Sequence, residues 1–396
     1  MSEQGCCSNT SEDCCSEPVP KVSCCSEPTA ATAEDCCSEP AALQSVKEYY
    51  GKTLQSVADL ASGACCATSA PPVEIRDILP LIADEILDRF YGCGSPLPPL
   101  LDRLTVLDLG CGTGRDVYIA SKLVGQSGRV IGVDMTPEQI AVAQKYQDEQ
   151  RQRFGFASSN VSFLHGYIED LGSLGIADDS IDVIISNCVI NLSPAKKRVF
   201  AEAYRVLKPG GELYFSDVFA DRRISATLYA DPVLRGECLS GALYVEDFRR
   251  MMADAGWPDF RYTSVRNITL DNPEIAEKVG FATFSSRTVR AFKLADLEDI
   301  CEDYGQVAYY DGSIPGHPHY FDLDDHHRFY TGKPMLVCGN TASMLVNTRF
   351  SQAFTVLGDR SIHFGAFAGC GGASNGHDSD GQDESGKSRD GGACCC

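Results

Sequence analysis

Between an apolar stretch and a helical one, the chain reads Asp108-Leu109-Gly110-Cys111-Gly112-Thr113-Gly114. Glycines alternating with other residues at a strand–helix junction let the backbone approach a ligand closely, and the helix start beyond them offers unpaired N–H donors. The surroundings of this loop narrow the fold further. Apolar strands are predicted at 105–109, 129–134, 161–167, 181–187 and 212–218, with helical patterns between them. Such alternation specifies an α/β fold built on a mostly parallel sheet covered on both faces, with ligands held beyond the carboxyl ends of the strands.

The loop also limits what that ligand is. A dinucleotide fingerprint would be G-x-G-x-x-G, but Arg115 stands where the third glycine should be, which disfavours NAD and FAD. No lysine follows the loop to hold a triphosphate. Asp134 ends the second strand and is placed to accept hydrogen bonds from both hydroxyls of a ribose. Just after it, Thr136 reads as a helix N-cap, Pro137 as the first helical residue and Gln139 as the closing member of a capping box.

Outside this region the chain changes character. Residues 1–42 hold four Cys-Cys pairs, three of them followed by Ser-Glu-Pro, and Leu43 is the first Leu, Ile or Phe in the sequence. This tail and its counterpart at 370–396, ending Cys394-Cys395-Cys396, are expected to be disordered. Residues 43–103 read as a helical cap. It comprises one helix through Leu43, Val46, Tyr50, Leu54 and Val57, and a second through Ile75, Leu79, Ile82, Ile86 and Phe90 that halts at Gly92-Cys93-Gly94. Residues 104–220 form the ligand-binding domain and 221–300 a further region. The β-rich stretches 260–270, 282–294, 306–311 and 335–338 suggest a separate, mostly β C-terminal part, with a domain at 301–369.

The formal charge of −21 argues against a nucleic-acid partner. With neither a basic apolar leader nor an apolar run long enough to cross a membrane, the chain reads as a cytoplasmic protein. Twenty cysteines in a reducing compartment point to soft-ion binding or thiol chemistry rather than a disulfide framework.

Loop, spaced aspartate and the turn Lys208-Pro209-Gly210-Gly211 together resemble the class I S-adenosylmethionine-dependent methyltransferases over about residues 104–220. Further motifs narrow the resemblance. Tyr49-Tyr50-Gly51, Tyr91-Gly92-Cys93-Gly94, Ser186-Asn187-Cys188-Val189-Ile190-Asn191-Leu192 and Gly236-Glu237-Cys238-Leu239-Ser240-Gly241-Ala242-Leu243-Tyr244 closely resemble the arsenite methyltransferases, from about residue 45 to 365. The Cys-pair tail is not part of that family's motif. The resemblance implies a Rossmann-like methyltransferase sheet with a helical N-terminal cap and a smaller β-rich C-terminal part. S-Adenosylmethionine would be held by Asp108, Gly110, Gly112, Gly114, Asp134, Met135, Ile168, Glu169 and Asn187. Trivalent arsenic would be bound by Cys93, Cys188 and Cys238, within the 221–300 region and the sheet ends. Cys65 and Cys93 would restore the reduced state, with glutathione or thioredoxin as the external reductant. The protein would act as a monomer without a metal cofactor.

The chemistry of the residues agrees with the resemblance. Trivalent arsenic is soft and prefers thiolate. Held by sulfur as a pyramid, it keeps a lone pair that can attack a sulfonium methyl without a general base, so proximity and orientation supply the rate. Two other readings stay open at this point: another small-molecule methyltransferase, and a thiol-rich protein that sequesters soft metals. Cys301, Cys338 and Cys370 read as small buried hydrophobes, and Cys111 as a loop residue. The cluster His317, His319, His326 and His327 reads as a solvated acidic loop. The paired tail cysteines either capture arsenic or are passive.

Overall fold

The computed structural model describes residues 41–50, 73–92 and 94–368. Cys65, Cys66, Cys93, Cys370 and residues 1–40 and 369–396 lie outside them; Ala41 and Ala42, expected to end the disordered tail, begin a helix instead. A central sheet carries β1 (Thr105–Leu109), β2 (Arg129–Asp134), β3 (Val161–His165), β4 (Ile181–Asn187), β5 (Leu207–Ala220), β6 (Leu243–Tyr244), β7 (Arg261–Ile268) and β8 (Phe284–Phe292). The order is β3-β2-β1-β4-β5-β8-β7, with β6 beside the end of β5. The first five strands run parallel, whereas β8 is antiparallel to both β5 and β7. Strand order reverses at β1, with β2 and β3 to one side and β4 and β5 to the other; the crevice outside the carboxyl ends of β1 and β4 is the natural ligand site.

Both faces of the sheet are covered, as alternation requires. One core packs Leu107, Ile184, Val199, Phe200 and Phe248, and the other Val106, Val117, Ile119, Val183 and Ile185. Successive residues of β1 and β4 therefore bury opposite faces, so these central strands are largely apolar, with polar residues such as Asp108 and Asn187 towards their carboxyl ends.

Four local readings are corrected. β5 begins at Leu207, so the Lys208-Pro209-Gly210-Gly211 turn lies inside the strand rather than ahead of it. Its register with β4 slips between Ile181/Leu207 and Val183/Glu212, and Gly210 has φ of +80°. Stretches 260–270 and 282–294, expected in a separate β-rich part, are β7 and β8 of the central sheet. The second cap helix is broken into Val73–Ile78, a tight turn at Leu79–Leu81 and Asp84–Asp88, because Pro80 has no N–H to donate and disfavours helix at the residue before it. Thr136 does precede the helix Pro137–Lys145, but its side chain makes no cap bond. Gln139 instead donates to the Tyr50 carbonyl at 2.9 Å, tying the N-terminal helix Ala41–Glu48 to the sheet domain.

Beyond the sheet lie β9 (Glu302–Asp303), β10 (Gln306–Tyr310), β11 (Tyr320–Asp322), β12 (Arg328–Tyr330), β13 (Met335–Val337), β14 (Phe354–Leu357) and β15 (Gly365–Ala366). They form a three-stranded sheet, β13-β10-β14, and two strand pairs around a core of Tyr310, Phe321, Phe329, Phe350 and Leu345. Arg261 of β7 joins this part to the central sheet. Its fully buried guanidinium bonds both oxygens of Asp259 at 2.9 and 2.8 Å and reaches Asp324 at 3.5 Å. His327 Nδ1 lies 2.8 Å from both Asp324 oxygens. The expected solvated histidine loop is thus partly buried, with His327 only 4% exposed, because its aspartate answers Arg261. Cys301 and Cys338 are buried as expected, yet each sulfur lies 3.8 Å from the Arg261 guanidinium rather than among hydrocarbon alone. Among the described residues no helix is long and apolar enough to cross a membrane.

Candidate functional site

The glycine loop turns sharply at the end of β1. Gly110, Gly112 and Gly114 all take positive φ, of +75°, +52° and +88°. At Gly110 the need is double, since a Cβ there would lie 2.3 Å from the Val189 side chain. Gly114 starts the helix Arg115–Val124. The loop borders a cavity lined by Asp108, Gly110, Asp134, Met135, Ile168, Glu169, Asn187 and Cys188 among others. The structure thus brings these sequence-predicted residues to one cavity, with Gly112 and Gly114 in the adjoining loop. Leu43 and Val46 of the N-terminal helix, with Tyr50 just beyond it, also line the cavity, and Lys47 Nζ donates to the Tyr167 hydroxyl at 2.8 Å.

Asp108, Asp116 and Asp134 are three of the carboxylates that line this cavity. Asp134 accepts the Gly112 N–H at 2.9 Å and the Thr136 N–H at 2.8 Å, so it braces the loop as well as facing the ligand. Burial raises its pKa, against the pull of those bonds. Burial, with Asp116 and Asp134 nearby, raises that of Asp108 well above the usual carboxylate range. Such a set favours a cationic ligand, because a positive charge relieves the repulsion among the three. Sulfonium and ammonium groups on S-adenosylmethionine fit it, and the open space above Gly112 leaves room for the ligand's backbone approach.

Asn187 lines the cavity and also braces a neighbouring segment. Its amide Nδ2 donates to Asp116 Oδ2 at 2.9 Å and to the Gly94 carbonyl at 3.0 Å, while its Oδ1 accepts the Gly94 N–H at 3.2 Å. It therefore clamps the segment around Gly92 and Gly94 across the sheet ends. A Cβ at Gly92 would lie 2.5 Å from the Asn187 amide, and one at Gly94 2.5 Å from Ser216 Oγ. This explains the glycines of the Tyr-Gly-Cys-Gly motif. Cys93 itself, like Cys65, lies outside the described residues.

A second centre adjoins the first. Cys188 follows β4 and Cys238 follows the short helix Pro232–Gly236. The Cys238 thiol donates to the Cys188 carbonyl at 3.2 Å. Both residues are buried and both hold positive φ, +57° and +63°. Only five non-glycine residues among those described do so, and backbone strain of this kind concentrates at functional sites. Cys188 stands in a disulfide, whereas Cys111, Cys238, Cys301 and Cys338 are thiols.

Sequence reasoning missed Asp217, near the end of β5. One ligand atom each from Cys188, Asp217 and Cys238 lies within 4.8 Å of the others. Burial pushes the Asp217 carboxyl up to about 7, against hydrogen bonds from Val218 and Asn191 and the charge of Lys196. Lys196 is lowered by burial, opposed by Asp217, Cys238 and Glu169. Arg115 and Asp116, ion-paired at 2.7 Å, were also missed as cavity residues. Asp116 comes two residues after the loop, so its position was a usable signal; Asp217 carried none, since strand pairing brings it to the cysteines.

Comparison with known proteins follows this geometry. Residues 100–256 match the family model of a methyltransferase domain, and residues 303–396 that of the arsenite methyltransferase C-terminal domain. An arsenite methyltransferase of Aquipseudomonas alcaligenes is 56% identical over 329 residues, spanning 83% of this chain and 94% of its own. A human arsenite methyltransferase is 42% identical, spanning 79% of this chain and 83% of its own. The crystal structure of an arsenic(III) S-adenosylmethionine methyltransferase from Chlamydomonas reinhardtii superposes with a TM-score of 0.73 at 51% identity, covering 75% of this chain and 100% of that one.

Proposed function

The chain belongs to the arsenite methyltransferase family, and from that premise we propose that Cys188 and Cys238 present arsenic to the cofactor. It is an enzyme that uses S-adenosylmethionine to methylate trivalent arsenic. The single observation that carries the assignment is that Cys188 belongs to both centres. It lines the cofactor cavity and lies in the cluster with Cys238.

S-Adenosylmethionine supplies an activated methyl on a sulfonium. The chain contributes placement. Asp108, Asp116 and Asp134 favour the cationic ligand, the glycine loop lets the backbone approach it, and Asn187 holds the covering segment in register. Thiolates at 188 and 238 hold arsenic as a pyramid, with Cys93 as the arriving third sulfur, so that its lone pair faces the methyl. Holding arsenic and cofactor side by side converts a bimolecular step into one between positioned groups, which accounts for several kcal/mol of barrier. The positive charge passes from the sulfonium to arsenic in that step, so positioning rather than charge neutralisation carries it.

Arsenic binds thiolate, so the disulfide at Cys188 is opened before substrate capture. Cys65 and Cys93 take the relay role that re-reduces arsenic between cycles, with glutathione or thioredoxin restoring the thiols by exchange. The enzyme works as a cytoplasmic monomer. Turnover of S-adenosylmethionine with arsenite, measured for Cys188→Ser and Cys238→Ser, tests the assignment. Both variants should bind the cofactor and fail to methylate; full activity in either one refutes it. Cys65→Ser should spare methylarsonous acid while harming arsenite, and equal loss on both refutes the relay.

A further inference from the structure

We propose that Asp217 is a substrate-binding residue that selects arsenite over its methylated product. It does so by accepting a hydrogen bond from the hydroxyl left on arsenic after two thiols have bound. The inference rests on the assignment of Cys188 and Cys238 as arsenic ligands.

Ligand atoms of Cys188, Asp217 and Cys238 all lie within 4.8 Å of one another, and all three residues are buried. That spacing suits three groups around one pyramidal atom. The carboxylate is held rigidly. Its Oδ1 accepts the Asn191 Nδ2 at 2.7 Å and the Val218 N–H at 2.8 Å, and its Oδ2 accepts the Asn191 N–H at 3.1 Å. Each carboxylate oxygen has two lone pairs, so Oδ2 retains capacity for another donor. Beside it, the Asn191 Oδ1 is buried without a hydrogen-bond partner. The site thus offers acceptors where two thiols alone would need none.

Arsenite supplies the missing donor. As(OH)3 and two thiols give a dithiolate As–OH and two waters, each thiol proton leaving on a displaced hydroxide, with no change in oxidation state. One hydroxyl remains to donate to Asp217 until a third thiol replaces it. Methylarsonous acid and the same thiols give a dithiolate As–CH3 and two waters, and no hydroxyl remains. The carboxylate therefore helps the first substrate and does nothing for the second. Cys188 enters as a thiol after its disulfide is reduced: a phosphine supplies two electrons and leaves as its oxide, with water supplying the oxygen and the two protons.

The test uses the full chain carrying Cys93→Ser, so that arsenite stops at the dithiolate hydroxide. The protein is reduced with a phosphine, then titrated with arsenite or methylarsonous acid by arsenic–thiolate ultraviolet absorption. Asp217→Asn keeps the shape but turns the acceptor at Oδ2 into a donor. It should weaken arsenite binding about fivefold or more, the worth of a single hydrogen bond, and shift methylarsonous acid by less than about twofold. Asp217→Ser, which removes the carboxylate altogether, should give the same split. Equal loss of both arsenicals, or unchanged arsenite binding, overturns the proposal. Unaltered binding of both arsenicals by Cys238→Ser, with Asp217 intact, overturns the thiol assignment beneath it.

Discussion

Replacing Asn187 with Asp tests whether this residue closes the cofactor site by clamping a neighbouring segment. The change is nearly isosteric, yet the Nδ2 position becomes an oxygen facing the Asp116 carboxylate at 2.9 Å and the Gly94 carbonyl at 3.0 Å. One charge-assisted and one neutral hydrogen bond disappear. At about 1.5–3 and about 0.5–1.5 kcal/mol respectively, they amount to about 2–4.5 kcal/mol. If that loss falls on docking of the segment around Gly92 and Gly94, cofactor affinity drops between tens of fold and about a thousandfold. Isothermal titration with S-adenosylmethionine reads it directly. The introduced carboxyl, crowded by Asp116, should have a raised pKa, so lowering the pH protonates it and restores an O–H donor. The deficit should therefore shrink from about pH 8 to about pH 5. A dissociation constant within about twofold of the parent, flat with pH, would refute the clamp.

Strain at the second cysteine predicts an inverted ranking of substitutions. Cys238→Gly should be more stable than Cys238→Ala by about 1 kcal/mol, because only glycine adopts positive φ without strain; thermal melts in the usual order, alanine above glycine, would contradict this. Gly241→Ala would set a Cβ 2.3 Å from the Asn191 carbonyl oxygen. Overpacking of about 1–3 kcal/mol should then displace the Cys238 segment and weaken arsenite capture while cofactor affinity holds, and parallel loss of both would show a global defect instead. Asp324 governs acid stability. Burial raises its pKa, but the His327 hydrogen bond and the charges of His327, Arg261 and His326 prevail, holding it well below the usual carboxylate range. Its stabilisation is present above the unfolded value of about 3.9 and is lost as pH falls below it, so acid unfolding of Asp324→Asn should be less steep than that of the parent. Identical acid profiles would count against the buried Arg261–Asp324 link.

The amino-acid sequence alone determined the parallel half of the sheet and the glycine loop, and it singled out the two cysteines proposed to hold arsenic. Those features carry local signals: apolar strands at 105–109 and 181–187, alternating glycines at 110–114, and short motifs around Cys188 and Cys238. The break at Pro80 was equally local and was passed over because apolar spacing continued across it. Tertiary structure decided the rest. β7 and β8 join the central sheet through antiparallel pairing with β5, and no sequence pattern states which edge a strand will choose. Gln139 reaches Tyr50 instead of its own helix start, and Asn187 spends its amide on Gly94 and Asp116. Asp217 meets the cysteines only because β5 lies beside β4 and the 236–241 segment folds back over Asn191. Periodicity records what each stretch buries, whereas a site assembled from distant strands is fixed by which surfaces pack together.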